Sequence, residues 1–269
     1  DTTTSGGPGQ DTSILVYKVY YDGFKAMDLG ASATQSVVLM VILVALTVMG
    51  ALTLLVVARY FQETLHERHP EALQPAVLLR TARGIVGNGS FWTYASLCTA
   101  SFGGLFCILS ASSFVFINLL GTSPSFYGVL LLLLSAFYIG GTILCRRMIV
   151  RFGVQRSVMI GGALSLGGGG LMLAFALAGV TTVWTIMVPA FIFMLGHGVH
   201  QPCGQSGAIA PFPKAAGAAS AITGFLMMVV AFGAAYWVGA NMDGSALPMI
   251  VGVAFCSAAV AFIAWVPVQ

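Results

Sequence analysis

Two histidines, His197 and His200, lie three residues apart in Gly196-His197-Gly198-Val199-His200-Gln201-Pro202, inside an otherwise apolar run. That separation puts them on adjoining sides of one helical face. Imidazole titrates near neutral pH, so the pair offers proton handling or contact with a substrate; two hydrogen-bonded histidines near a membrane interface is the plainer use of the same residues. Asn118, Tyr138, Gln201 and Gln205 are uncharged polar groups in similar surroundings. An unpaired polar group is costly there, so each needs either a hydrogen bond to a neighbouring helix or a place on the wall of a cavity. These six residues form the candidate substrate-binding set. No catalytic group is found beside them: nucleophile and base arrangements are missing, and no Gly-x-x-x-x-Gly-Lys-Ser/Thr phosphate loop occurs. The five Cys (Cys98, Cys107, Cys145, Cys203 and Cys256) are scattered, which argues against a disulfide scaffold or a zinc site. No Cys or carboxylate at ligand spacing completes a metal set around the histidines. The reading is therefore no enzyme, no cofactor and no metal.

The elements that must position these groups follow from composition. Of 269 residues, 58% are hydrophobic and 7% charged, too few charges to cover a water-facing surface. A soluble globular enzyme is excluded on that ground. The net charge of +3 is too small and too scattered for a nucleic-acid footprint. A bilayer core about 30 Å thick needs about 20 helical residues to cross it. Seven runs of that kind are present: Val37 to Ala58, Phe91 to Leu120, Phe126 to Cys145, Val158 to Ala178, Val183 to about Cys203, Ala215 to Ala240 and Leu247 to Val266. The expected fold is an all-α integral membrane protein of about seven transmembrane helices.

Charges in the connections give an independent check, because short cytoplasmic loops collect Lys and Arg. Arg59, Arg68, Arg80 and Arg83 follow the first run; Arg146, Arg147, Arg151 and Arg156 follow the third; Lys214 follows the fifth. The alternate loops hold one charge, Asp243. This alternation predicts a multi-pass protein of the inner (plasma) membrane with its C-terminus in the cytoplasm. Rows of small residues at helical spacing, Gly161, Ser165 and Gly169 in the fourth run and Gly217, Ala221 and Gly224 in the sixth, read as packing seams. The Gly167 to Gly170 run reads either as more packing or as a soft, bendable place. Glu63, Glu67 and Glu71, with Arg68, His66 and His69, read as a solvated linker. The chain opens on Asp1 with no basic n-region, and Thr2 to Gln10 is rich in Gly, Ser and Thr, which suggests a start inside a longer frame or at a fusion point.

Longer motifs carry two resemblances. Arg147, Arg151, Gly153 and Arg156, in Arg146-Arg147-Met148-Ile149-Val150-Arg151-Phe152-Gly153-Val154-Gln155-Arg156, resemble the basic R-x-G-x-x-R cytoplasmic loop of major facilitator transporters. Phe61 to Leu65, Ser110 to Phe116 with Gly121 to Gly128, and Pro202 with Ala208 to Pro213 and Ala216 to Gly224 are similar to the Bcr/CflA drug-efflux branch, so that about residues 50–269 resemble its C-terminal half. That resemblance implies proton-coupled efflux of hydrophobic small molecules, with protons as coupling ion, six helices matching half of a twelve-helix fold, and a missing N-terminal half as partner. Residues 1–48 resemble something else. Asp11 to Phe24, Asp28 to Ala33 and Ser36 to Met40 look like the last helices of a sugar ABC transporter permease.

The chain is thus divided into a permease-like segment with the start of the first helix (1–48), the end of that helix and a cytoplasmic linker (49–90), and a six-helix transporter half (91–269). Drug efflux by a partial or fused chain is the leading expectation. The alternative is a permease subunit of an ABC sugar importer, or a non-functional fusion or truncated product.

Overall fold

A computed structural model describes residues 29–61 and 74–265. The Glu63 to Glu71 linker, the permease-like motif of residues 11–24 and most of the Phe61 to Leu65 motif lie outside those residues. The chain divides into two compact units, 1–70 and 71–269. The first contains helix α1, Leu29–Tyr60. Within it Leu43–Tyr60 is apolar enough to cross a bilayer. The hydroxyls of Thr47 and Thr53 donate to the carbonyls of Leu43 and Met49, both at 2.8 Å, so neither is left unpaired in an apolar setting.

The second unit is a bundle of helices: α2 (Pro75–Val86), α3 (Gly89–Ser113, ending in a π-helical turn Phe114–Leu119), α4 (Pro124–Leu177), α5 (Val183–Ile209), α6 (Ala216–Ala240) and α7 (Leu247–Trp265). All described regular structure is helical, and among the described residues six helices are long and apolar enough to span a membrane. In lipid a helix satisfies its own backbone groups, so this is the expected solution for such runs. The protein is an all-α, multi-pass integral membrane protein.

Among the described residues these six helices hold seven apolar segments of crossing length. Helical hydrogen bonding in α4 runs through 54 residues, roughly 80 Å at about 1.5 Å per residue, more than twice a bilayer core. Gly153, at φ 80° and ψ 171°, breaks it into two arms, 124–152 and 154–177. The Ser157 hydroxyl donates to the Gly153 carbonyl at 2.7 Å and steadies the reversal. A β-branched side chain is strongly disfavoured at positive φ. Gly153→Val is therefore expected to cost about 1–2 kcal/mol, read as a lower melting temperature of the purified chain in detergent. An unchanged melting temperature would show that this turn is not constrained.

Helix starts are written locally. Asn88 accepts from the Phe91 amide at 3.1 Å, and Ser123 accepts from the Phe126 amide at 3.2 Å with Pro124 just inside the helix. Thr182 and Thr185 cap each other reciprocally ahead of α5. The short helix α2 has no counterpart among the expected spans. It is amphipathic: Ile85 is buried with Phe91 of α3, Ala208 of α5 and Ala219 of α6, while Leu79, Arg80, Arg83 and Val86 stay exposed. Ten-odd residues are too few to show in a search for membrane-length runs.

Helix α5 is the hub. Its glycines face three different neighbours. A Cβ on Gly198 would lie 2.5 Å from the Tyr138 carbonyl oxygen in the first arm of α4, and one on Gly196 would lie 2.7 Å from the Gly161 carbonyl oxygen in the second arm. On Gly204 it would lie 2.6 Å from the Cys98 Cβ in α3, and Gly207 faces the Tyr94 ring just as closely. The seam expected at Gly161, Ser165 and Gly169 is present: Gly161 and Ser165 meet α5, and Gly169 meets Ser257 of α7. The one expected at Gly217 and Gly224 is not, because both glycines of α6 face open space. Helix α6 buries a single stripe, Ala219, Thr223, Met227, Ala231 and Val238, and leaves Phe225, Phe232 and Tyr236 outward. Small residues at helical spacing alone do not say which side of a helix has a partner. Gly167 to Gly170 lie in regular helix; Gly168 meets the backbone of Pro189 and Phe193, and Gly167 and Gly170 face open space.

Candidate functional site

Helix α5 also carries the polar groups. His197 (2% exposed), His200 (0%) and Gln201 (6%) are buried on it. Residues 197, 201 and 205 repeat every four positions and so form one row along the helix. The row faces α3 and the first arm of α4 across a cavity of about 530 Å³.

Its polar lining is Ser135, Tyr138, His197, Gln201 and Gln205; its apolar lining includes Phe102, Leu105 and Leu131, with Met194 and Met227. No carboxylate, lysine or arginine lines it. Two separate sets of hydrogen bonds tie α5 to α3. Ser101 Oγ and His197 Nδ1 are 2.8 Å apart. Gln201 Nε2 donates to the Cys98 carbonyl at 3.2 Å, and Gln205 Nε2 donates to Gln201 Oε1 at 3.2 Å. The rings of Tyr138 and Phe193 both lie against the imidazole of His197, with centroids 5.4 and 6.1 Å away. The arrangement offers hydroxyl, imidazole and carboxamide groups beside apolar and aromatic walls. It suits hydrogen bonding to a neutral solute.

Four of the six candidate residues, Tyr138, His197, Gln201 and Gln205, are thus brought together. The other two are placed elsewhere. His200 points to the second arm of α4, its Nε2 3.4 Å from the Val158 carbonyl oxygen, and its Nδ1 has no hydrogen-bond partner. Asn118 is exposed in the π-helical turn after α3. Spacing could not separate these cases, because i and i+3 on α5 face different neighbours in a helix enclosed by three others. Ser135 and Phe102 were missed. Their only signal was position: Ser135 lies three residues before Tyr138, and Phe102 is one of many phenylalanines.

The loop residues Arg147, Arg151 and Arg156 are exposed around the Gly153 reversal. The Arg151 guanidinium lies over the Phe152 ring, 5.3 Å from its centroid. At the other end of the bundle Asp243 Oδ1 accepts from the Ser245 hydroxyl at 2.6 Å and the Ser245 amide at 3.0 Å. These bonds, the hydroxyl first, hold its pKa below the ordinary carboxylate value. Among the described residues no group of three or more His, Cys, Asp and Glu is placed to hold a metal ion.

A second cavity, of about 560 Å³, opens between α3, α6 and α7. Its lining is apolar except for the thiols of Cys107 and Cys256. All five cysteines are free.

Comparison with known proteins gives relatives over a short stretch. The chain is 57% identical over 49 residues to the sn-glycerol-3-phosphate transport system permease protein UgpA of Escherichia coli O157:H7, covering 18% of this chain and 17% of that protein. It is 64% identical over 44 residues to the protein of the same name in Agrobacterium fabrum strain C58, covering 16% and 15%. For that of Pectobacterium atrosepticum the identity is 52% over 48 residues, covering 18% and 16%. The chain therefore spans less than a fifth of the length of these curated relatives. No family model and no solved structure matches it.

These relatives overturn the drug-efflux assignment. They agree in kind with the permease resemblance of residues 1–48, while nothing supports a Bcr/CflA or major facilitator relationship for residues 50–269. Proton-coupled drug efflux, a hydrophobic drug as substrate and a missing first half as partner fall with it. The physical reason lies in the motifs themselves. Arginines flanking a glycine reversal and small residues along helix seams are what lipid demands of any polytopic protein. They therefore recur in unrelated folds.

Proposed function

We propose that the chain is a solute-transport protein of a bacterial plasma membrane, a permease and not an enzyme. The observation that carries this reading is the 57% identity over 49 residues to a transport-system permease. Seven exposed Lys and Arg side chains at one end of the bundle, against Asp243 at the other, support an orientation with the basic end and the C-terminus in the cytoplasm. We keep the division into a permease-like segment (1–48), a helix end and linker (49–90) and a six-span unit (91–269), with the one change that helix α2 (Pro75–Val86) packs with the last of these. In an ABC-type importer, ATP hydrolysis would be supplied by a separate subunit.

The named solute of the relatives, sn-glycerol-3-phosphate, carries a phosphate, which calls for Arg or Lys at its site. The cavity of this chain offers neither. Its carboxamides, imidazole and Tyr138 suit the hydroxyls of a neutral, sugar-like solute, so Tyr138, His197, Gln201 and Gln205 are the proposed contacts. The test is counterflow exchange in proteoliposomes of the full chain, with glucose, glycerol and sn-glycerol-3-phosphate as labelled solutes. Exchange of a neutral solute above protein-free liposomes, with none of the phosphate ester, is expected. Exchange of the ester alone would refute the reading of the cavity.

A second reading has its own support in the shortness of the match: the chain is a joined product without transport of its own. Absence of exchange for all three solutes favours it.

A further inference from the structure

Among the described residues, the basic end of the bundle has no carboxylate to balance it. Between residues 74 and 265 the sole acidic side chain is Asp243, which belongs to the opposite end. Like charges left together at a membrane surface draw counter-ions, and the nearest abundant anions are phospholipid headgroups.

One place on this end is shaped for such a group. A groove of about 370 Å³ on the first arm of α4 is lined by Ile143, Arg146, Arg147 and Val150. Offsets of three, four and seven residues bring all four to one side of the helix. Ile143 is 49% exposed and Val150 86% exposed, so this side is not packed on the rest of the unit. The arm runs from Pro124 toward the basic end, which places Ile143 one turn deeper in the apolar span than the arginines. A guanidinium fork matches phosphate oxygens, and an exposed isoleucine one turn deeper matches hydrocarbon.

We propose that this groove binds an anionic phospholipid of the surrounding bilayer, with its phosphate between Arg146 and Arg147 and an acyl chain along Ile143. The site depends on membrane embedding alone and not on which solute is carried. An occupant from the chain itself is the competing outcome, since Glu63, Glu67 and Glu71 are the acidic residues that precede the bundle.

The test uses the full chain in mild detergent, with native mass spectrometry after titration with phosphatidylglycerol or phosphatidylcholine of the same acyl composition. Phosphatidylglycerol should be retained about tenfold more strongly, as two arginines near a surface allow. Arg146→Gln with Arg147→Gln should abolish that preference, and Arg146→Lys with Arg147→Lys should keep part of it. Both arginines are exposed, so an unchanged melting temperature checks that the fold persists. Equal retention of the two lipids overturns the proposal, as does a preference that survives the double Gln variant. A wild-type chain without preference that gains one in Glu63→Gln/Glu67→Gln/Glu71→Gln also overturns it and assigns the groove to the linker.

Discussion

Gly198→Ala is expected to destabilise the bundle by about 3 kcal/mol, the upper end of what an extra buried methyl usually costs. The new Cβ would lie 2.5 Å from the Tyr138 carbonyl oxygen and 2.8 Å from Gly141 Cα, both main-chain atoms. No rotamer change relieves the clash, so α5 must move away from α4. That movement removes the close backbone approach on which helix association in lipid depends, because lipid gives no hydrophobic drive to bring helices together. Gly217→Ala is the matched control. Its Cβ would enter open space, and a helix gains up to about 1 kcal/mol from this exchange. Thermal unfolding of both variants in the same detergent should separate them clearly. Equal melting temperatures would mean that α4 and α5 do not cross where the structure places them.

Gln201→Leu is expected to lower neutral-solute exchange about tenfold or more, as sites built to hydrogen-bond a hydroxyl reject ligands once that bond is lost. Its cost to stability should be small, about 1 kcal/mol. Gln201 makes two bonds: it donates to the Cys98 carbonyl and accepts from Gln205. Leucine removes both bonds and turns the centre of the cavity wall apolar at nearly constant volume. The separation between the two readouts matters, since a residue that only holds α3 to α5 would lose stability and exchange together. Exchange that is unaltered in a folded Gln201→Leu protein would exclude this cavity as the path.

Much of the architecture was legible because the membrane imposes one length on every crossing. The runs expected at Phe91 to Leu120 and Leu247 to Val266 are helices Gly89–Leu119 and Leu247–Trp265 in the structure. The third and fourth runs also hold, as the two arms of α4 on either side of Gly153. Helix α2 escaped notice because it spans nothing. The polar residues were found for a similar reason: a glutamine or histidine inside an apolar run is conspicuous whatever surrounds it.

Grouping them was beyond the sequence. His197 and His200 differ by three positions, yet one lines the cavity and the other faces the Val158 carbonyl. Kinship was also misread from short motifs, since Arg147, Arg151, Gly153 and Arg156 answer to the bilayer surface as much as to any family.

By itself, then, the sequence determined that the chain lives in lipid, that it crosses it repeatedly and which end of the bundle is basic, because hydrocarbon thickness and headgroup charge act on each segment separately. Only the tertiary structure decided which glycines are contacts and which polar groups share a cavity. Those depend on the rotation of each helix about its own axis, and that rotation is set by the neighbours it meets.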